Sequence, residues 1–297
     1  MTMKILLKIA DLIFSVTSER DLYLEENLKL FMVEGDTSFA DVTIRFSWKP
    51  ELFRVPSGIY LGEDLLHTYY AEPDDILLCM TKGGYKGMIG SAAYDRTRRE
   101  VTCVINERPF LFTPRDLGAL LRYLPLFAIF QDYGILFFHA SQVAYRHTGI
   151  LFTAPSGGGK TTQAGLWVDN EQAELICNDR TYLRYKDGWY TYGCPVDGSA
   201  PVCSTKVNPL GCLVVLKKAS VNQARQLHGK EAILALLPQL IFDYWEKNAT
   251  LSAVDRLNKL IETIPVYELQ GTPDKKAVIC LKEQLQKDGV LTDGKNQ

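Results

Sequence analysis

Ile150-Leu151-Phe152-Thr153-Ala154-Pro155-Ser156-Gly157-Gly158-Gly159-Lys160-Thr161-Thr162 decides how this chain is read. An apolar strand runs into three consecutive glycines, a lysine and two hydroxyl residues, and helix-forming residues follow to about Val168. The stretch matches G-x-x-x-x-G-K-[ST] at every defined position but the first, where Ala154 stands for glycine. Glycines without a Cβ let backbone N–H groups turn inward onto phosphate oxygens. The helix that follows directs its first N–H groups, with their partial positive charge, at the same anion. Ser156, Gly157, Gly158, Gly159, Lys160, Thr161 and Thr162 are therefore the expected nucleotide-binding residues. Lys160 would reach the β- and γ-phosphates, and the Thr161 hydroxyl would bind Mg²⁺. A plain glycine-rich surface turn would leave the Lys-Thr pair unexplained, and the glycine spacing is wrong for a dinucleotide fingerprint.

A phosphate loop needs a carboxylate for the metal, usually at the end of a neighbouring strand. Leu175-Ile176-Cys177-Asn178-Asp179-Arg180 supplies one, and Asp179 lies 18 residues after Thr161, enough for one helix and a return strand. Asn and Asp also end strands in ordinary turns. Asp179 is nevertheless the expected second metal ligand, beside Thr161, and a catalytic candidate.

Around this centre the chain punctuates itself. Ile135–Tyr145 and Gly149–Ala154 read as two strands joined by a short turn. Tyr182–Tyr185 and Trp189–Tyr192 flank Lys186-Asp187-Gly188, a hairpin signal. Leu213–Leu216 and Val266–Leu269 read as strands, and Lys230–Trp245, Ala253–Ile264 and Asp274–Gln286 as helices. Upstream, Thr113, Pro114 and Asp116 signal the start of a helix that carries apolar residues at helical spacing and stops at Gly134. Roughly the first 110 residues are short apolar runs between Gly, Asp, Pro and Ser clusters, which is strand-and-turn punctuation. The expected division is a β-rich region over 1–112 and a catalytic domain over 113–297, with a soft boundary near 108–134.

The 297 residues, at roughly 150 per domain, allow one large domain or two ordinary ones. With 46% hydrophobic and 23% charged residues, disordered, collagen-like and coiled-coil classes are excluded. The net charge of −2 argues against a nucleic-acid partner. Seven scattered cysteines, none at a C-x-x-C spacing, suit a reducing cytoplasm and no disulfide framework or zinc knuckle. Met1–Val16 is broken by Lys4, Lys8 and Asp11 and reads as a strand, not a signal peptide. The longest apolar stretch, Leu124–Phe130, is far short of the ~20 residues that span a bilayer, so no membrane association is expected.

Four segments together resemble the HPr kinase family and, more distantly, ATP-dependent phosphoenolpyruvate carboxykinases. Phe138-His139-Ala140-Ser141-Gln142-Val143 is similar to the family's histidine strand, Ser156–Thr162 to its phosphate loop, Asn178-Asp179-Arg180 to its acidic motif, and Tyr192–Ser199 to a Gly-x-Pro loop of the peptide-modifying branch. Pro265-Val266-Tyr267-Glu268-Leu269 looks like that branch too. The resemblance covers about residues 135–285. It implies a mixed α/β fold with a phosphoenolpyruvate-carboxykinase-like P-loop kinase core, ATP and Mg²⁺ as cofactors, and transfer of a phosphoryl group to a serine of a peptide or small protein. It also implies a place for His139 near the transferred group, as base or charge stabiliser, and for Tyr192–Pro201 near the acceptor. One departure stands out: the family usually has two adjacent acids where this chain has Asn178 and Asp179. Two other functions stay open on the sequence, a nucleotide-binding regulatory protein with a degenerate site and a small-molecule kinase acting on free serine. His67, His147 and His228 read as structural or surface residues. Asp95–Glu100 reads as a solvated turn, and Arg180 as either a phosphate contact or a salt bridge.

Overall fold

Each half of the molecule contains a hairpin closed by a tight two-residue turn. The computed structural model describes residues 3–50, 56–110, 112–195 and 202–291. The chain divides into two units, one of residues 3–129 with 243–250 and one of 130–242 with 251–291.

The first unit is built on an eight-stranded sheet. β1 (Met3–Ile9) and β2 (Leu12–Ser18) form a hairpin whose linking residues Ala10 and Asp11 both take left-handed φ, 51° and 59°. Left-handed turn residues match the twist of the strands they join. A short helix, α1 (Glu26–Lys29), lies in the connection to β3 (Val42–Lys49). The meander β4 (Ile59–Glu63), β5 (His67–Glu72), β6 (Ile76–Lys82), β7 (Met88–Asp95) and β8 (Glu100–Asn106) completes the sheet in the order β1-β2-β3-β8-β7-β6-β5-β4. β3 is parallel to both its neighbours. Its Val42, Ile44, Phe46 and Trp48 are buried and its Arg45 and Lys49 are exposed, the two-residue alternation of a half-buried strand.

The single helix expected up to Gly134 is two. Asp116, not Thr113, is the N-cap, its carboxylate accepting from the Ala119 N–H at 2.6 Å, and α2 covers only Leu117–Leu121. The chain breaks before Pro125, whose ring disfavours helical backbone in the residue ahead of it, and resumes as α3 (Leu126–Asp132). Gly134, at φ 78°, does end that helix.

The second unit holds the other large mixed sheet. β9 (Leu136–Tyr145), β10 (Thr148–Thr153), α4 (Lys160–Glu171), β11 (Glu174–Cys177), β12 (Arg180–Tyr185), β13 (Trp189–Tyr192) and β14 (Val207–Lys218) follow in order. β15 (Gln223–Leu227), α5 (Gly229–Leu236), β16 (Leu240–Ile241), α6 (Lys247–Thr263), β17 (Val266–Gly271) and α7 (Lys275–Lys287) end the chain, the first residues of α6 being grouped with the other unit. The helix expected over Lys230–Trp245 stops early: Pro238 closes it in a 3₁₀ turn, and Leu240–Ile241 pair with β9 instead. β10, β14 and β17 run parallel side by side. Residues alternate along β14, so Leu213 and Val215 pack with α5 and α6 while Cys212 and Val214 pack with α4 and α7. Helices thus cover both faces of the parallel strands. Among the described residues no helix is long and apolar enough to cross a membrane. No disulfide joins any of the seven cysteines, five of which are buried.

Candidate functional site

The site grows from the β9–β10 hairpin. Arg146 and His147 form its turn, both at left-handed φ (49° and 64°), and this fixes Thr153, the last residue of β10, opposite Ala140. The Thr153 hydroxyl donates to the His139 carbonyl at 2.9 Å. The glycine loop that follows Thr153 therefore starts beside His139.

β9 changes partner at the same place. Leu136–His139 pair with β12, while the stretch from Ala140 onward pairs with β10 and β11. Asn178 and Asp179 sit in the break between β11 and β12, and the Ala140 N–H donates to the Asp179 carbonyl at 3.1 Å. The topology thus brings residues 40 positions apart to one junction. His139 Nδ1 lies 3.1 Å from the Asp179 carbonyl and 3.2 Å from its Oδ1. Both are acceptors, so Nδ1 carries the proton and Nε2 is left as an acceptor. Lys160 Nζ meets that Nε2 at 2.8 Å and donates also to the Ala154 carbonyl at 3.0 Å. Lys160 is 7% exposed. Burial lowers the pKa of its ammonium from the usual lysine value, and the Asp179 charge pulls it back up.

The loop itself has the backbone of an anion cradle. Gly157 and Gly159 take φ of 72° and 96°, a region open to glycine and strained for other residues, and no atom lies where a Cβ would sit. A Cβ on Gly158 would run into Ala154 and Pro155, which holds the turn close to its own strand. No side chain caps α4, so its first N–H groups are free of a competing acceptor side chain. Thr161 and Thr162 are exposed in its first turn.

The expected residues divide accordingly. Lys160, His139 and Asp179 form one hydrogen-bonded chain at the loop. Arg180 pairs with Asp179 at 3.5 Å. Asn178 is buried, and its side-chain oxygen accepts from Ser141 at 3.1 Å. His67 is structural: its Nε2 sits 2.7 Å from the Arg122 carbonyl. His147 is a turn residue and His228 is exposed. Asp95–Glu100 is a hairpin turn, but Arg96 is not a solvated residue, since it makes a two-pronged pair with Glu246 at 2.7 and 3.0 Å. Of the Tyr192–Pro201 loop, residues 196–201 lie outside the described residues; Gly193 packs so closely on the Ser204 carbonyl that a Cβ has no room.

No sequence pattern marks the cleft of about 330 Å³ that lies against the loop, to which Gln163, Leu216, Lys218, Leu269 and Thr272 contribute. Its one local signal is a single residue, Gln163, three residues after Lys160 on the buried face of α4.

A carboxylate, a hydroxyl and phosphate oxygens are the donor set Mg²⁺ ordinarily takes, since it is held by one or two carboxylates plus substrate phosphates. Asp179, half-buried beside the loop, and Thr161, in the first turn of α4, fit that set; among the described residues no cluster of three or more His, Cys, Asp or Glu could hold a metal by itself.

No protein-family model matches the chain, and no curated protein matches it. Among solved structures, the HPr(Ser) kinase/phosphatase from Coxiella burnetii aligns with 52% of this chain and 98% of its own, at 13% sequence identity and a TM-score of 0.31.

Proposed function

We propose that the chain is a Mg²⁺-dependent kinase that passes the γ-phosphoryl group of ATP to a serine hydroxyl of a peptide or small protein. The observation that carries this reading is the chain Lys160–His139–Asp179, closed by contacts of 2.8 and 3.2 Å at the mouth of a phosphate loop. Phosphoryl transfer asks for positioning and charge stabilisation more than for covalent chemistry. The loop N–H groups and Lys160 hold phosphate oxygens, and Asp179 with Thr161 would hold Mg²⁺, which neutralises charge on the transferring group. Asp179 fixes the His139 tautomer so that Nε2 faces the loop. With Lys160 drawn onto phosphate, that nitrogen accepts the proton of the attacking serine hydroxyl.

The test is mass spectrometry of peptides encoded beside the gene, incubated with ATP and Mg²⁺, with an HPr-like protein and free serine as controls. The expected result is a gain of one phosphate on a peptide or protein serine, and loss of that gain in Asp179→Asn. Nucleotide binding without transfer to any acceptor would favour the regulatory reading, and phosphoserine formed from free serine alone the small-molecule reading. The regulatory reading has one observation in its favour: Asn178 stands buried against Ser141 where the resemblance expects an acid.

A further inference from the structure

The parallel strands β14 and β17 end together, Lys218 pairing with Gly271, and their neighbour β10 stops three residues short of them, at Thr153 opposite Val215. Beyond those ends lie three connections, the glycine loop after β10, Lys218–Ala219 after β14 and Gly271–Pro273 after β17. They enclose the 330 Å³ cleft, whose near wall is Gly157–Gly159 with Thr162 and Gln163. A crevice outside the carboxyl ends of parallel strands is where open α/β sheets take ligands. Its volume falls within the range of small-molecule sites.

The lining is specific in kind. Leu216, Leu269 and Ala277 make an apolar floor, and Pro273 stands at the rim. The polar groups are few. Gln163 is 5% exposed, and its side-chain nitrogen has no hydrogen-bond partner, a costly arrangement in a buried amide. The Lys218 side chain is exposed at the end of β14. The far wall is fixed in advance: Asn222 Oδ1 accepts from the Thr272 N–H at 3.0 Å, and the Thr272 hydroxyl donates to Asp274, the N-cap of α7, at 3.0 Å. A Cβ on Gly271 would strike Asn222, so the turn cannot open by a simple substitution there. A preformed, mostly apolar slot with a few polar groups suits a flat heteroaromatic group carrying a sugar.

We propose that this cleft is the nucleoside subsite: with phosphates on the loop, the α-phosphate passes Thr162 and the base lies over Leu216 and Leu269 beneath the Gly271–Pro273 turn. The inference rests on the nucleotide reading of the loop and adds where the remainder of the nucleotide goes. Ala219 is half-exposed on the cleft wall and lies outside the glycine loop, so Ala219→Trp puts bulk into the slot and leaves the residues of the loop unchanged.

Two probes separate the parts, ATP and inorganic tripolyphosphate, the second of which can use only the loop. Calorimetry should show ATP binding the wild type more tightly than tripolyphosphate, and Ala219→Trp should weaken ATP by about tenfold or more while leaving tripolyphosphate unchanged, the loss of a slot's worth of apolar contact. Hydrogen exchange on the wild type gives the same answer without a variant: ATP, and not tripolyphosphate, should protect the backbone N–H groups of 216–219 and 271–272. Equal affinity for the two probes, or protection of these segments by neither, overturns the nucleoside subsite and leaves the phosphate loop standing. Binding of neither probe overturns the loop reading itself.

Discussion

At the scale of the residue, the centre is three side chains that satisfy one another. Lys160 is buried, and burial holds its pKa below the usual 10.5. A lysine whose folded pKa is lowered binds its proton more weakly than the unfolded chain does, so folding stability rises with pH between the lowered value and 10.5. Lys160→Met should abolish that rise in urea titrations across the window, and should remove ATP binding while costing the unliganded fold little. An unchanged slope would show that the ammonium is not the group being desolvated. His139→Ala should lower kcat by roughly 10²-fold, the lower end for a general base; measured with the acceptor peptide in hand, a change confined to KM would instead make His139 a binding residue. Asn178 carries the opposite lesson. An aspartate there would place a charge in a buried site with Ser141 as its hydroxyl donor, so Asn178→Asp should lower the thermal midpoint rather than improve turnover.

At the scale of the element, a single carboxylate organises the β4–β5 turn. Asp64 accepts from the Leu66 and His67 N–H groups, both at 2.7 Å, and from the Tyr69 hydroxyl at 2.8 Å. Burial works to raise its pKa, but these hydrogen bonds together hold it below the usual carboxylate value. That stabilisation is present above the unfolded value of 3.8 and is lost as pH falls through the lowered folded one. Asp64→Asn should therefore cost about 1–2 kcal/mol at neutral pH, the scale of a hydrogen bond to a charged group, and shrink toward zero in strong acid. Denaturant midpoints at pH 7 and pH 2 check it; an equal loss at both would mean that the charge has no part.

What could be read from sequence at this scale was local. The strand, glycine turn and helix over 150–168, the Asp-Gly hairpin and the last helix from Asp274 each depend on neighbours a few residues away, and the structure has each of these elements. β15 went unread because Gln223-Ala224-Arg225-Gln226-Leu227 has no apolar run; it is a strand because it lies against β17, with Arg225 paired to Glu268 at 3.0 Å. Pro125 and Pro238 were in plain view, yet helical spacing on either side outweighed them. The change of partner along β9, which sets His139 against Asp179, depends on pairings across 40 residues that no local pattern encodes.

At the scale of the whole molecule, the two sheets depend on distant pairings: β3 with β8, β10 with β14 and β14 with β17 are all parallel and joined by long crossovers. Loop closure must come before such contacts can stabilise the chain, so refolding from denaturant should be slow, of the order of seconds or longer. Stopped-flow fluorescence of the four tryptophans would measure it, and a millisecond phase recovering all the signal would contradict it. The thiols provide a second check at this scale. Cys203 and Cys280 are half-buried and the other five are buried, so a thiol reagent should label at most two sites quickly in the native protein and all seven after unfolding.

Under the proposed kinase reaction, the contact between Lys160 and His139 would give the two substrates an order. The imidazole nitrogen that faces the loop is capped by the loop's own ammonium, and only an anion competing for that ammonium uncaps it. An acceptor that arrived first would meet a nitrogen already engaged; one that arrived after the nucleotide would meet a lone pair. Initial-rate kinetics should then be sequential with nucleotide binding first, and water, always present, would gain no base while the phosphate site stood vacant.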